Sequence, residues 1–230
     1  NNAAKMRQMS GGQFNIPIVF RGPTASAGQL GATHSQAFEN WYANTPGLKV
    51  VIPSNPYDAK GLLKSAIRDD DPVIFMESEQ MYGDKGEVPE EEYTIPIGKA
   101  KIMREGEDVT IVGTSLILDK VMEAADLLAD EGISVEVVDP RTIKPLDIET
   151  IVESVKKTNK LVIVHEACKT AGVGAEIASQ VQEEAFFYLE GPIQRVAGAD
   201  VPIPFGPEME QHVIPQVEDI VEAVKKKSEY

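Results

Sequence analysis

Short apolar runs alternate with amphipathic helical stretches along this 230-residue chain. In the first part, the predicted strands and helices alternate over 16–20, 32–44, 48–52, 55–68 and 72–76. Asn55 followed by Pro56 is a typical start for one of these helices, since asparagine caps it and proline suits its first position. Because such an alternation places helices on the faces of a parallel sheet, it predicts an α/β fold.

A second α/β unit follows a glutamate-rich stretch at 78–100, which is predicted to be a linker or an extended arm. Its predicted strands cover 108–113, 133–138, 160–164 and 192–197. Its predicted helices cover 117–131, 147–157, 174–185 and 216–227, and 200–215 is predicted as a proline-rich loop. Residues 1–12 are predicted to hold the end of a helix that stops at two glycines.

The charge balance restricts the classes of partner. The net charge is -15, and residues 101–230 carry 13 Lys and Arg against 25 Asp and Glu, a net -12. Such an acidic surface argues against nucleic acid, whose phosphates it would repel. It suits a basic protein partner, although a solvated acidic surface that aids solubility is the alternative.

Other bulk features exclude further classes. There is no apolar run of about 18 residues, so no membrane-spanning helix is expected. The single cysteine, Cys168, allows no internal disulfide, which suits a reducing compartment. Only three histidines accompany it and they are scattered, so no zinc cluster is expected. The chain does not begin with methionine, and we expect a processed, cleaved or truncated chain.

His34 is the first candidate for chemistry. It follows an apolar run and a loop of small residues, and it is predicted to lie near the start of the helix at 32–44. An imidazole can accept and donate protons near neutral pH, and small residues let a ligand approach the backbone. A histidine that makes a structural hydrogen bond or lies on a helix surface is the alternative.

Three consecutive aspartates, Asp69 to Asp71, follow the predicted helix at 55–68. The carboxyl end of a helix is electronegative, so three carboxylates there repel one another unless a cation lies among them. Oxygen ligands favour hard cations. A helix stop with solvated carboxylates is the alternative.

Other polar residues give weaker signals. Gly172-Val173-Gly174 lacks the full spacing of a nucleotide-binding motif. His165-Glu166 lies at the carboxyl end of a predicted strand, where a structural or interface role is favoured over catalysis. Neither Cys168 nor His212 has a predicted catalytic role.

Taken together, segments over nearly the whole chain resemble one known family. They are IPIVFRGP, ASAG, HSQAFENWYANTPGLKVVIPSNPYDAKGLLKSAIRDDDPVIFMES, MYG, IPIGKAKI, VVDPRTIKPLD, GVGAEI and RVAGADVPIPF. In content and order they resemble the beta subunits of the decarboxylating component of the pyruvate dehydrogenase complex, in the transketolase-like family.

The resemblance implies a domain organisation. Residues 1–84 are similar to the later part of a transketolase-like pyrimidine-binding domain with a parallel sheet, 85–100 to a linker, and 101–230 to a transketolase C-terminal α/β domain. An N-terminally truncated chain is therefore expected. The missing part is where the family carries the glutamate that binds the aminopyrimidine of thiamine diphosphate, and no residue here matches it.

The resemblance also implies site residues and cofactors. His34 matches the family's active-site histidine, which orients the 2-oxo acid and the lipoyl group and assists proton transfer. Five residues match a structural potassium site of relatives: Ile18, Ala66, Ile67, Asp69 and Asp71. Relatives can carry asparagine at position 71. The diphosphate and Mg²⁺ are expected on the alpha subunit, so this chain alone is expected to be inactive.

The implied reaction is oxidative decarboxylation of pyruvate with reductive acetylation of a lipoyl group. The implied partners are an alpha subunit in an alpha2-beta2 heterotetramer, a second beta subunit, and the lipoyl acetyltransferase core. The alternative for the whole protein is the beta subunit of a branched-chain 2-oxo acid dehydrogenase. The alternative for this chain alone is an assembly module, which docks the acyltransferase core without catalysis. The expected compartment is the cytoplasm in bacteria and the mitochondrial matrix or plastid stroma in eukaryotes.

Overall fold

The computed structural model describes residues 1–26 and 28–228. It contains two sheets, built mainly of parallel strands, with helices on both faces. Within the described ranges, no helix combines the length and the apolar character needed to cross a membrane.

The first sheet has four strands in the order β1-β3-β2-β7. They are β1 (Val19–Thr24), β2 (Lys49–Val51), β3 (Val73–Ser78) and β7 (Thr142–Lys144). Three of them are parallel, and β7 pairs antiparallel with β2. Since β7 comes from the second half of the chain, the two halves share this sheet.

The second sheet has five strands in the order β4-β6-β5-β8-β9. They are β4 (Lys101–Arg104), β5 (Val109–Gly113), β6 (Val135–Asp139), β8 (Leu161–Cys168) and β9 (Gln194–Gly198). Only β4, at one edge, runs antiparallel to its neighbour. Burial on both faces explains why the central strands are continuous apolar runs.

Eight α-helices cover the sheets in the described part of the chain. They are α1 (Asn2–Met9), α2 (Glu39–Ala43), α3 (Pro56–Ile67), α4 (Ile117–Asp130), α5 (Ile148–Thr158), α6 (Val173–Ala185), α7 (Pro207–Val213) and α8 (Val217–Ser228). The helices α4 and α8 pack on one face of the second sheet, and α5 and α6 pack on the other. Short 3-10 turns cover Glu79–Gly83 and Phe186–Tyr188.

The starts predicted for the helices at 55–68 and 147–157 are confirmed. The Asn55 side chain accepts the Asp58 backbone N–H, and Pro56 occupies the first turn of α3. The Asp147 side chain likewise accepts the Thr150 N–H at the start of α5. Each cap satisfies a backbone donor that has no partner within its helix, so a local signal fixes the boundary.

Two predicted boundaries near His34 are wrong. The strand predicted at 16–20 lies at Val19–Thr24, because Pro17 has no N–H for a strand ladder and the Ile18 N–H turns back to the Ile16 carbonyl at 2.8 Å. The helix predicted at 32–44 covers only Glu39–Ala43. The Ala25 N–H instead donates to the Gln36 carbonyl at 3.1 Å, so the residues before α2 pair with the end of β1.

Other differences concern prolines and edge strands. The predicted loop at 200–215 contains α7, because Pro207 suits the first turn of a helix. The strand β7 lies between Pro140 and Pro145 and was not predicted, and neither was the edge strand β4. The stretch at 85–100 packs along α3, where Ile95 is buried and the Tyr93 ring stacks on Tyr57 with centroids 4.6 Å apart.

Candidate active site

His34 lies in the loop between β1 and α2, five residues before α2 begins. Its side chain is exposed, and its backbone N–H donates to the Gly31 carbonyl at 3.2 Å. Among the described residues, no side chain makes a hydrogen bond to its imidazole. Both ring nitrogens therefore face surroundings in which a substrate or a partner group could be bound.

Two glutamates from the second half of the chain bind the loop before His34. The Ser26 N–H donates to Glu166 Oε1 at 2.6 Å, and the Gln29 N–H donates to Glu210 Oε2 at 2.8 Å. The Ser26 hydroxyl also donates to Glu210. Ser26, Glu166 and Glu210 are all buried, so these bonds are shielded from water.

Two carboxylates near this loop, Glu166 and Glu39, have raised pKa values. The pKa of Glu166 is raised to about 7, first by burial and then by the nearby charges of Glu39 and Glu210. Burial also raises the pKa of Glu39 to about 6. Groups that titrate near neutral pH often lie at functional sites, and this cluster can hold a proton there.

A cavity of about 750 Å³ opens beside the cluster, beyond the carboxyl ends of β8 and β9. Glu166, Ser35 and Asn40 contribute polar groups to its wall, and Trp41 contributes an aromatic face. His34 lies between two lining residues, Ala32 and Ser35. Parallel sheets place their ligands at this edge, and the volume is in the range of small-molecule sites.

The sequence did not predict the roles of Glu39 and Glu210, and it favoured a structural or interface role for Glu166. Glu166 does lie near the carboxyl end of β8, and that position was the available signal. Glu210 is 184 residues from Ser26 along the chain, and no local pattern relates the two.

The other weak candidates are structural or lie at the surface, and Cys168 also lines the cavity beside the His34 loop. His165 is fully buried, burial lowers its pKa to about 4, and a Cβ on Gly174 would lie 2.6 Å from its Nε2. Gly172 and Gly174 therefore make room for this ring, which accounts for the GxG pattern without a nucleotide. The exposed Cys168 donates its thiol to the Ala199 carbonyl at 3.4 Å. His212 lies on α7 and is exposed.

The aspartates after α3 are paired with basic side chains. Lys49 Nζ lies 2.6 Å from both Asp69 carboxylate oxygens and 3.4 Å from Asp71. Arg7 lies 2.5 Å from Asp71 and, through its hydrogen bond, lowers the pKa of that carboxyl. Lys49 and Arg7 thus relieve the repulsion between the carboxylates.

Backbone carbonyls of the matched potassium positions lie in the same region. The Ile18 carbonyl accepts the Val73 N–H at 2.9 Å, and the Ala66 carbonyl accepts the Asp69 N–H at 3.3 Å. Each carbonyl oxygen has a second lone pair. Among the described residues, no cluster of three His, Cys, Asp or Glu side chains is arranged to hold a metal.

Comparison with known proteins identifies the family. The family model "Transketolase, pyrimidine binding domain" matches residues 1–85, and "Transketolase, C-terminal domain" matches residues 98–220, more than half of the chain. The chain belongs to the transketolase-like family. The predicted fold class is thereby confirmed.

Several relatives are pyruvate dehydrogenase E1 component beta subunits. The pyruvate dehydrogenase E1 component subunit beta of Rickettsia felis is 54% identical over 226 residues, which cover 98% of this chain and 69% of that protein. The mitochondrial beta-2 subunit of Oryza sativa subsp. japonica is 52% identical over 230 residues, and the mitochondrial beta subunit of Dictyostelium discoideum is 53% identical over 230 residues. The chain covers 61% and 65% of these two proteins.

A solved structure shares the transketolase-like fold. The chain described as "Split gene transketolase, inactive beta4 tetramer" is 25% identical, with a TM-score of 0.76 over 98% of this chain and 73% of that one. The likeness extends over both sheets, so their arrangement here is that of the transketolase-like family.

Proposed function

We propose that this chain is part of the beta subunit of a thiamine diphosphate-dependent pyruvate dehydrogenase (acetyl-transferring). The observation that carries this proposal is the identity of 52 to 54% with subunits of that name over 98% of the chain. The proposed organisation is a partial pyrimidine-binding domain at 1–84, a linker at 85–100 and the C-terminal domain at 101–230. Eukaryotic relatives are named as mitochondrial proteins, and we propose the cytoplasm in bacteria and the mitochondrial matrix or plastid stroma in eukaryotes as compartments.

His34 is the proposed catalytic residue. Its exposed imidazole can orient the 2-oxo acid and the lipoyl group and move a proton to or from them. The loop that carries it runs beside the cavity at the carboxyl ends of β8 and β9. This placement supports a shared site, in which one wall comes from this chain and the facing wall from an alpha subunit.

Thiamine diphosphate, when bound, would supply a thiazolium ring that can stabilise the carbanion of the decarboxylation. This chain contributes His34 to that chemistry. No described residue matches the glutamate that holds the aminopyrimidine, so we place cofactor binding on the rest of the subunit and on alpha, with Mg²⁺ on alpha. The chain alone is therefore expected to lack turnover.

For the structural K⁺, the backbone carbonyls at the matched positions fit better than the carboxylates, which Lys49 and Arg7 occupy. Ile18, Ala66 and Ile67 would then bind the ion through carbonyls, and so would Asp69 and Asp71. The complete subunit is expected to melt at a higher temperature in KCl than in NaCl at equal ionic strength, and Asp71→Asn should keep this difference. Equal melting temperatures in the two salts would contradict the site.

The experiment that tests the function compares two substrates. The complete subunit, assembled with its alpha subunit, is expected to turn over pyruvate at least tenfold faster than 3-methyl-2-oxobutanoate, since one to two methylenes in a pocket are worth about 10- to 200-fold. The readout is reductive acetylation of a lipoyl domain. Faster turnover of the branched substrate would assign the chain to the branched-chain enzymes instead.

A second candidate function is assembly. The net -12 of residues 101–230 favours docking of a basic binding domain of the lipoyl acetyltransferase core. Titration calorimetry with that domain is expected to give binding that weakens about tenfold or more when the salt is raised from 0.05 to 0.5 M. Absence of binding, or an affinity that ignores salt, would exclude this role.

A further inference from the structure

The segment that leads to His34 is bound by groups from distant parts of the chain. Ser26 is fully buried, and three of its polar atoms are engaged: the N–H by Glu166, the hydroxyl by Glu210, and the carbonyl by the Gln80 side chain at 2.8 Å. Gln29 adds a backbone bond to Glu210. These partners come from β8, from α7 and from the 3-10 turn after β3.

The backbone of this segment needs such support. Ala25 and Gln29 both have positive φ angles, 68° and 59°. For residues with a Cβ this left-handed region is unfavourable, and it persists where the surroundings over-determine the conformation. The bonds to Glu166 and Glu210 act on Ser26 and on Gln29 itself, so they oppose relaxation of the loop.

We propose that Glu166 and Glu210 are positioning residues, which fix the loop that carries His34 through the backbone N–H groups of Ser26 and Gln29. This inference rests on the proposed catalytic role of His34. Neither glutamate needs to touch substrate. Their effect reaches the reaction because the second half of the chain sets the path of a loop that belongs to the first half.

The charges around Glu166 make its hold on the loop depend on pH. Glu39 of α2 and Glu210 of α7 face it and oppose its ionisation, whereas Lys120 of α4 favours ionisation. The Ser26 N–H bond lowers the pKa of Glu166, so ionisation of Glu166 must in turn strengthen that bond. The loop is therefore held more firmly at pH 8 than at pH 6.

Amide hydrogen exchange in the complete subunit, assembled with alpha, tests the inference. With intrinsic rates corrected for pH, protection at Ser26 is expected to rise from pH 6 to pH 8 in the wild type. Glu166→Gln should match the wild type at pH 6 and lose about tenfold of protection at pH 8, since a neutral acceptor binds more weakly than a carboxylate. Glu210→Gln should lower protection at Gln29.

Glu136→Gln is the matched control. Glu136 is also a fully buried glutamate of the second sheet, but it pairs with Lys157, and its replacement should leave exchange at Ser26 and Gln29 unchanged. In turnover, Glu166→Gln at pH 8 is expected to lower kcat roughly tenfold, with the KM for pyruvate within twofold of the wild type.

The outcomes separate the two proposals. Wild-type protection at Ser26 that does not change with pH would contradict the pH dependence. Protection at Ser26 in Glu166→Gln equal to the wild type at pH 8, or losses equal in the Glu136→Gln control, would overturn the positioning role. Altered protection with unaltered kcat would also overturn it. If the protection changes are as expected but the assembly does not turn over pyruvate, the proposed function is contradicted instead.

Discussion

Replacing His34 with alanine in the complete subunit, assembled with its alpha subunit, is expected to lower kcat for reductive acetylation by about 10²- to 10⁴-fold. This is the usual contribution of a positioned proton-transfer group. The reason lies in the placement of the side chain, which is exposed on the loop beside the cavity and makes no hydrogen bond to a described residue. The value of kcat is measured from the rate of lipoyl-domain acetylation at saturating pyruvate, in samples quenched at fixed times.

The same exposure predicts that the fold is unaffected. Truncation of an exposed side chain without partners changes the free energy of unfolding by about 0.5 kcal/mol or less, so urea unfolding of His34→Ala should match the wild type. His212→Ala is the control, because His212 is exposed on α7 and has no proposed role. An unchanged kcat in His34→Ala, or an equal loss of kcat in the two variants, would show that His34 is not a catalytic residue.

The fold was predictable where local chemistry decides it. Asn55 and Asp147 cap their helices as expected, and the continuous apolar runs become the central strands of the second sheet. By contrast, β7 has three residues between prolines, and it is a strand only because β2 offers an open edge. Tertiary pairing of this kind leaves no periodic signal in the sequence.

The candidate site divides in the same way. His34 was predicted from its loop and from the resemblance, but the residues around it are supplied by the tertiary fold. Glu166 and Glu210 reach Ser26 across 140 and 184 residues of chain, and the helix expected at 32–44 yields to pairing between Ala25 and Gln36. Burial raises the pKa of Glu166, and the residues next to Glu166 in the sequence do not reveal that it is buried.

A buried charge cluster joins the two halves of the chain, and it carries the largest expected effect on stability. Asp58 of α3 is fully buried, with its Oδ2 3.5 Å from Arg141 Nε. Asp139 is also fully buried, and it accepts the Ser54 hydroxyl and, at 2.8 Å, the Arg141 N–H. Arg141 thus pairs its guanidinium with Asp58 and donates its backbone N–H to Asp139, and its charge lowers the pKa of Asp139.

Replacing Arg141 with methionine is expected to lower the free energy of unfolding by about 3–5 kcal/mol at pH 8, the cost of leaving a buried carboxylate unpaired. Urea unfolding of the complete subunit gives the measurement. Arg104→Met is the matched control, since Arg104 pairs with the exposed Asp126 and such pairs are worth about 0–1 kcal/mol. Adding Asp58→Asn to Arg141→Met should restore much of the loss, because no unpaired charge then remains at Asp58.

The pKa of Asp139 predicts how the loss of stability in Arg141→Met changes with pH. Burial, followed in smaller part by the charge of Asp58, raises the pKa of Asp139 to about 6 in the folded chain. The folded state therefore binds a proton more tightly than the unfolded chain, and the stability from that proton is lost as pH rises through about 6. Arg141 lowers this pKa, so its removal moves the loss to higher pH. The deficit of Arg141→Met must then be smaller at pH 5 than at pH 8, and an equal deficit at both would mean that the Arg141 charge does not act on Asp139.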